Sequence, residues 1–223
     1  MFTPKAHIII IDGPKGAGRK MFAFELALAL LYNAQRTAIM LTPNSPLHQA
    51  IKKRSAMLPQ LLSPTIITRE NFYNEANKFN AVIIPEANMA DELAPTASTY
   101  ITLIPQSKQS AQKFAKKLNY INDVWELKKK IAATYGHSLN WIVCENNLKE
   151  KITDSPSQDL EKASRTYGFR VSPPLNHRLA YKNNMSGISA QDKSLPLLMK
   201  ALTYEDICAK REITKLAEFI FNA

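Results

Sequence analysis

Residues His7–Lys20 read HIIIIDGPKGAGRK. The first five, His7 to Ile11, form a short apolar, β-branched run that reads as a buried parallel strand, because a strand with one wet face would alternate. Glycines follow at 13, 16 and 18, although the whole chain has only 6 in 223 residues, well under the roughly 7% norm. From Arg19 to Asn33 the residues Phe22, Leu26, Ala29, Leu30 and Asn33 keep helical spacing in a segment rich in Ala and Leu, and the helix should end near Ala34. Strand, glycine turn and helix together make an anion cradle. Glycine lets successive N–H groups converge on a phosphate, and the helix N-terminus adds partial positive charge.

The pattern continues outward. Further strands are expected at Arg36–Leu41, Thr65–Thr68, Asn80–Ile84, Thr99–Ile104 and Leu139–Cys144. Helices are expected at Pro46–Met57, Asn88–Ala97, Ser107–Tyr135, Ser157–Tyr167 and Tyr204–Phe221. Short apolar strands alternating with helices imply an α/β fold, a doubly wound and mostly parallel sheet, since parallel strands need helical crossovers. Residues 1–223 read as a single domain. Ser172–Leu195, with Pro173, Pro174, Asn183, Asn184 and Gly187, reads as a functional loop, because one helix after it is too little for a second domain.

Composition narrows the class. Hydrophobic residues make up 45% and charged residues 22%, a globular balance. Two cysteines, Cys144 and Cys208, cannot build a disulfide framework and lack zinc spacing, which points to a reducing compartment. The stretch Met21–Tyr32 is broken by Glu25 and falls short of the roughly 20 residues that span a bilayer, so no membrane association is expected. The N-terminus shows no secretory pattern, and a cytoplasmic location follows. His7, His48, His137 and His177 are isolated from one another and read as packing or surface residues. No Ser-His-Asp set or metal-ligand cluster is visible, so no catalytic or metal residue is assigned.

A full phosphate loop reads G-x-x-x-x-G-K-[ST], with Lys on the phosphates and the hydroxyl on magnesium. Here it reads G-x-x-x-x-G-R-K: Gly13, Lys15, Gly16, Ala17 and Gly18 supply the turn, Arg19 takes the lysine position, and Lys20 takes the place of the metal ligand. A second register makes Lys20 the phosphate lysine and Lys15 an additional one, and puts Met21 at the hydroxyl. Both registers lack the metal ligand. A turn that is merely structural is the competing reading. Asp12, just ahead of the loop, would weaken anion binding, or would pair with Arg19 or Lys20.

Gly13–Leu41 (GPKGAGRKMFAFELALALLYNAQRTAIML) resembles the first βαβ unit of the ParA/MinD class of P-loop ATPases. Tyr120–Lys130 (YINDVWELKKK), Leu139–Asn147 (LNWIVCENN) and Leu160–Lys182 (LEKASRTYGFRVSPPLNHRLAYK) are similar to the MipZ branch of that class. The resemblance implies a nucleotide-sandwiched homodimer that binds DNA without sequence preference, associates with the nucleoid, contacts ParB-like proteins and restrains FtsZ-like proteins. It implies too that Asn146 recognises adenine; as a plain sequence, Asn146-Asn147 is a natural strand exit and turn. Departures from the family are concentrated where its chemistry lies. The signature lysine falls on Pro14, the water-orienting aspartate on Leu41 and the Walker B aspartate on Pro85. Glu86 reads as a displaced acid or a solvated residue. Phosphoryl transfer rests on positioning and charge neutralisation, so hydrolysis should be lost, with ATP or ADP bound weakly and without Mg²⁺. The rival readings are a slow ATPase using Lys20 or Lys15, and a basic nucleic-acid-binding module with a structural loop.

Net charge is +10, spread over Lys52, Lys53 and Arg54, over Lys108, Lys113, Lys116, Lys117, Lys128, Lys129 and Lys130, and over Arg165, Arg170, Arg178 and Lys182. Such residues are either solvated helix faces or contacts to a phosphate backbone.

Overall fold

The computed structural model describes residues 6–85, 92–105, 111–148, 155–176, 178, 180–181, 187–194 and 203–221, with backbone alone at 111–118 and 147–148. Eight strands are found among these residues: β1 (His7–Asp12), β2 (Thr37–Met40), β3 (Thr65–Ile67), β4 (Ala81–Ile84), β5 (Thr99–Pro105), β6 (Trp141–Leu148), β7 (Arg170–Val171) and β8 (Leu175–Asn176). They form one sheet in the order β3-β2-β4-β1-β5-β6-β7, with β8 also paired to β6. Every pairing described is parallel. The helices are α1 (Arg19–Tyr32), α2 (Pro46–Met57), α3 (Phe72–Glu75), α4 (Ala111–Tyr135), α5 (Gln158–Tyr167) and α6 (Tyr204–Phe221).

The isoleucine run is explained by two cores rather than one. Side chains alternate along a strand, so Ile9 and Ile11 enter the layer containing Phe22, Leu26, Ile213 and Leu216 of α1 and α6. Ile8 and Ile10 enter the opposite layer, with Phe72, Ile121, Val124 and Trp141. Neither face meets water. α1 ends at Asn33, where Ala34 turns left-handed at φ 60 and its N–H bonds the Leu31 carbonyl at 3.0 Å.

Several expectations are corrected by the fold. β6 begins at Trp141 and runs to Leu148, so Asn146 lies within a strand, opposite Pro105 on β5 and Leu175 on β8, and is no turn residue. Of the helix expected at Asn88–Ala97, residues 88–91 lie outside the described set, Glu92 and Leu93 are helical as expected, and Ala94–Thr96 closes it as a single 3-10 turn. Glu86 and Lys108 also lie outside it, as do residues 106–110 at the start of the long helix. The stretch Ser172–Leu195, where described, is packed rather than open. It holds β8 and the 3-10 turn Asp192–Ser194, and buried polar anchors tie it to three helices.

Those anchors use charges that the sequence places at the surface. Arg54 is 0% exposed and grips both carboxylate oxygens of Asp192 at 2.6 Å. It also donates to the Gly187 carbonyl at 2.6 Å and twice to that of Leu62. Glu25 of α1, also fully buried, accepts from Ser189 Oγ at 2.7 Å and the Ala190 N–H at 3.0 Å. Arg178 pairs with Glu205 and Glu212 of α6 at 3.1 and 2.6 Å, and these carboxylates hold its guanidinium firmly charged against the effect of burial. Buried polar groups are tolerable only when paired in this way. Burial pushes the Cys144 thiol up to about 12, which leaves it unreactive at neutral pH.

Candidate phosphate loop and its internal partners

The loop sits between β1 and α1, at the carboxyl edge of the parallel sheet where α/β folds place ligands. Gly16 and Gly18 both have φ 85, and Gly13 has φ 149. Space differs among them. A Cβ on Gly13 would lie 2.4 Å from the Leu103 carbonyl oxygen, and one on Gly18 would lie 2.5 Å from Asn146 Nδ2, whereas a Cβ on Gly16 would meet nothing within 4 Å. Gly13 and Gly18 are therefore required by packing, and Gly16 faces open space beside the exposed Lys15. Gly18 is the N-cap of α1 and has no side chain with which to cap it. The Ala17 N–H bonds the Pro14 carbonyl at 3.0 Å.

Asp12 is the charged centre of the site. It is 8% exposed; its Oδ1 accepts from Arg19 Nη1 at 3.3 Å, and its Oδ2 accepts from the Tyr100 hydroxyl at 2.8 Å and from that of Tyr120. Burial, then the hydrogen bond and charge of Asp12, raise the Tyr120 hydroxyl far above the ordinary tyrosine range, so it remains a donor. Pairing of Asp12 with Arg19 was one of the two possibilities open in the sequence. Tyr100 and Tyr120 were not foreseeable: one is the aromatic of an apolar strand and the other lies on a helix 108 residues away from Asp12.

Asn146 is 3% exposed, and its Nδ2 donates to the Ala17 carbonyl at 2.6 Å. The amide that the resemblance assigns to adenine thus braces the loop in this structure. Two further buried polar atoms lie after β2. Ser45 Oγ and His48 Nε2 have no hydrogen-bond partner among the described residues, and His48 Nδ1 faces the Thr42 carbonyl at 3.3 Å. Leu41 is fully buried, and its N–H joins the Ile67 carbonyl.

The loop backbone suits a phosphate, since the glycine torsions and the open Gly16 tip leave a cradle. A magnesium ion is not suited by the same donors: Lys20 follows Arg19, an ammonium cannot ligate a cation, and β4 ends at the buried Pro85. Among the described residues, no group of three or more His, Cys, Asp or Glu side chains could hold a metal ion, and no helix is long and apolar enough to cross a membrane.

The positive charge is redistributed relative to the sequence reading. Arg54 and Arg178 are internal, as above. Lys128 Nζ caps α5 on the Gly168 carbonyl, and Arg170 stacks on Phe219 at 4.3 Å and donates to its carbonyl. Lys129, Lys130, Lys162 and Arg165 remain exposed on α4 and α5, helices joined by the edge contact of Trp125 with Tyr167 at 5.6 Å.

Comparison with known proteins bears on the whole arrangement. The family described as ATPase MipZ matches residues 84–220, more than half of the chain, with the glycine loop outside the matched span. No curated protein matches by sequence. Among solved structures, Cyanothece McdA in complex with ATP is similar with a TM-score of 0.56 at 14% identity, over 98% of this chain and 97% of that one. MinD of Aquifex aeolicus, solved in a complex with MinC, gives 0.60 at 10% identity, over 98% and 96%. MinD of Pyrococcus horikoshii with Mg-ADP gives 0.58 at 13%, over 97% and 96%. At such identities the likeness shows the P-loop NTPase fold.

Proposed function

The chain belongs to the ATPase MipZ family, and from that premise we propose that it is a non-hydrolysing member that works by binding, in chromosome partition or placement of the division site. One observation carries this reading: the cation at the end of the loop, Arg19, is paired with Asp12, and the next position, which should ligate magnesium, is Lys20. Without the metal and the free cation, the main sources of transition-state stabilisation in phosphoryl transfer are gone. Any ATP or ADP is held weakly by loop backbone and Arg19, independently of Mg²⁺, and Asn146 reaches adenine only by releasing Ala17. Turnover of Mg-ATP is expected at the no-enzyme background. A rate like that of active ParA-type enzymes, abolished by Lys20→Ala, would overturn the reading. A slow ATPase that uses Lys20 or Lys15 is the second reading, favoured by the exposed Lys15 at the loop tip; slow turnover lost in Lys15→Ala or Lys20→Ala would establish it.

Partners follow from the family: a second copy of the chain, ParB-like and FtsZ-like proteins, and duplex DNA at the nucleoid. Support for DNA comes from Lys129, Lys130, Lys162 and Arg165, exposed on two helices in contact. Duplex of any sequence should be retained with a log-log salt slope near −3.6, for about four neutralised phosphates. Lys129→Glu with Lys130→Glu, or Arg165→Glu, should weaken retention equally across sequences. Lys128 and Arg170 are poor test positions because both hold the fold together. A protein shown to be monomeric by light scattering, with no retention even at low salt, would reject the DNA arm and leave protein partners.

A further inference from the structure

We propose that Asp12 is an internal counter-anion that engages the arginine of the glycine loop and repels phosphate, so that the phosphate site is latent rather than lost. This rests on the reading of the loop as a disabled nucleotide site, and it assigns the disabling to one carboxylate. Asp12 ends β1 directly before Gly13, is almost wholly buried, and receives three donors from three elements: Arg19 from α1, Tyr100 from β5 and Tyr120 from α4. The two tyrosines fix the carboxylate beside the loop, and the carboxylate in turn engages Nη1 of the guanidinium that an incoming phosphate would need. Its negative charge also opposes that phosphate. The cradle itself is otherwise intact. Gly16 and Gly18 keep their left-handed torsions, no described residue fills the space over Gly16, and the N-cap of α1 is a glycine with no side chain to turn back on the helix. Arginine freed from Asp12 could take phosphate oxygens in pairs. The ligand class is a di- or triphosphate bound without a divalent cation, since Lys20 adds charge where a metal would otherwise be held.

The test measures binding of inorganic pyrophosphate and of ADP to the full chain by calorimetry, without Mg²⁺. Asp12→Asn, nearly isosteric, should tighten both about 100-fold, the effect of one unit charge about 6 Å away at an effective dielectric near 20. Asp12→Ser is run beside it, and circular dichroism confirms that each variant is folded. Adding Arg19→Ala to Asp12→Asn should abolish the gain, and Tyr120→Phe, which keeps the charge, should leave affinity within about threefold of the parent. Folded Asp12 variants that bind no better than the parent would overturn the proposal and leave the non-hydrolysing reading standing. So would a Tyr120→Phe gain equal to that of Asp12→Asn, since the obstruction would then be steric. Turnover of Mg-ATP by the parent chain, measured beside the binding, would instead overturn the non-hydrolysing reading and leave the Asp12 effect in place.

Discussion

Arg54→Ala should lower stability by about 3–5 kcal/mol, the cost of leaving a buried charge without its partner. For a domain of this size, at about 2–4 °C per kcal/mol, the melting temperature should fall by about 6–20 °C. The reasons are local. Asp192 would lose both bonds to the guanidinium and, among the described residues, keep the Tyr32 hydroxyl, at 2.6 Å, and the Ser189 N–H, at 2.8 Å. The carbonyls of Leu62 and Gly187 would lose their Arg54 donors, and the ring of Phe24, which faces the guanidinium at 5.8 Å, would border a cavity. Asp192→Ala should cost a similar amount. Replacing both with apolar residues of similar volume, Arg54→Met with Asp192→Leu, should recover much of the loss, because the expense of a buried pair lies mainly in desolvation. Recovery should stop short of the parent, since the two carbonyls are still unpaired. Thermal unfolding followed by circular dichroism measures all of these variants. A loss below about 1 kcal/mol in Arg54→Ala would mean that water replaces the guanidinium freely.

Gly13→Ala should be comparably damaging, at about 2–6 kcal/mol, combining left-handed strain of about 1–3 with overpacking of about 1–3. Its methyl would stand 2.4 Å from a backbone oxygen of β5, and a strand inside an eight-stranded sheet cannot step aside as a side chain would. Gly16→Ala has the strain without the collision and should cost only about 1–2 kcal/mol. Denaturant melts of the two variants separate these terms. Equal losses would show that torsion alone decides, and would remove the argument that Gly13 is held by packing while Gly16 is free to meet a ligand.

How far the sequence could be read depended on whether a residue's partner was near or far. β1 was legible because both of its faces are buried, so every position had to be apolar. α1 was legible from its spacing, and its expected end near Ala34 lies close to the observed one at Tyr32. β7 and β8 were not, because two residues carry no periodicity. Glu25 stood out only as an interruption, and Arg54 as one of three basic neighbours; their partners, Ser189 and Asp192, are 164 and 138 residues away. Nothing in a local window distinguishes an arginine that will be buried from one that will be solvated. The candidate loop was found from its glycines and its missing metal ligand, and Asn146 from its resemblance. The use of Asn146 on the Ala17 carbonyl and the tyrosine grip on Asp12 are products of tertiary packing.

The distance between Arg54 and Asp192 bears on how the chain is made as well as how it stands. At a synthesis rate of about 5–20 residues per second, the 138 residues between them take roughly 7–28 s to emerge. Throughout that interval the first strands and α1 could pair and collapse, yet Arg54 would still lack the carboxylate of Asp192 that neutralises it. An early core with an unpaired buried cation is not a stable resting place, so the amino-terminal half should stay open until the residues after Gly187 arrive. Closure is then a late, long-range event, of the kind that slows folding and leaves nascent apolar surface available to chaperones.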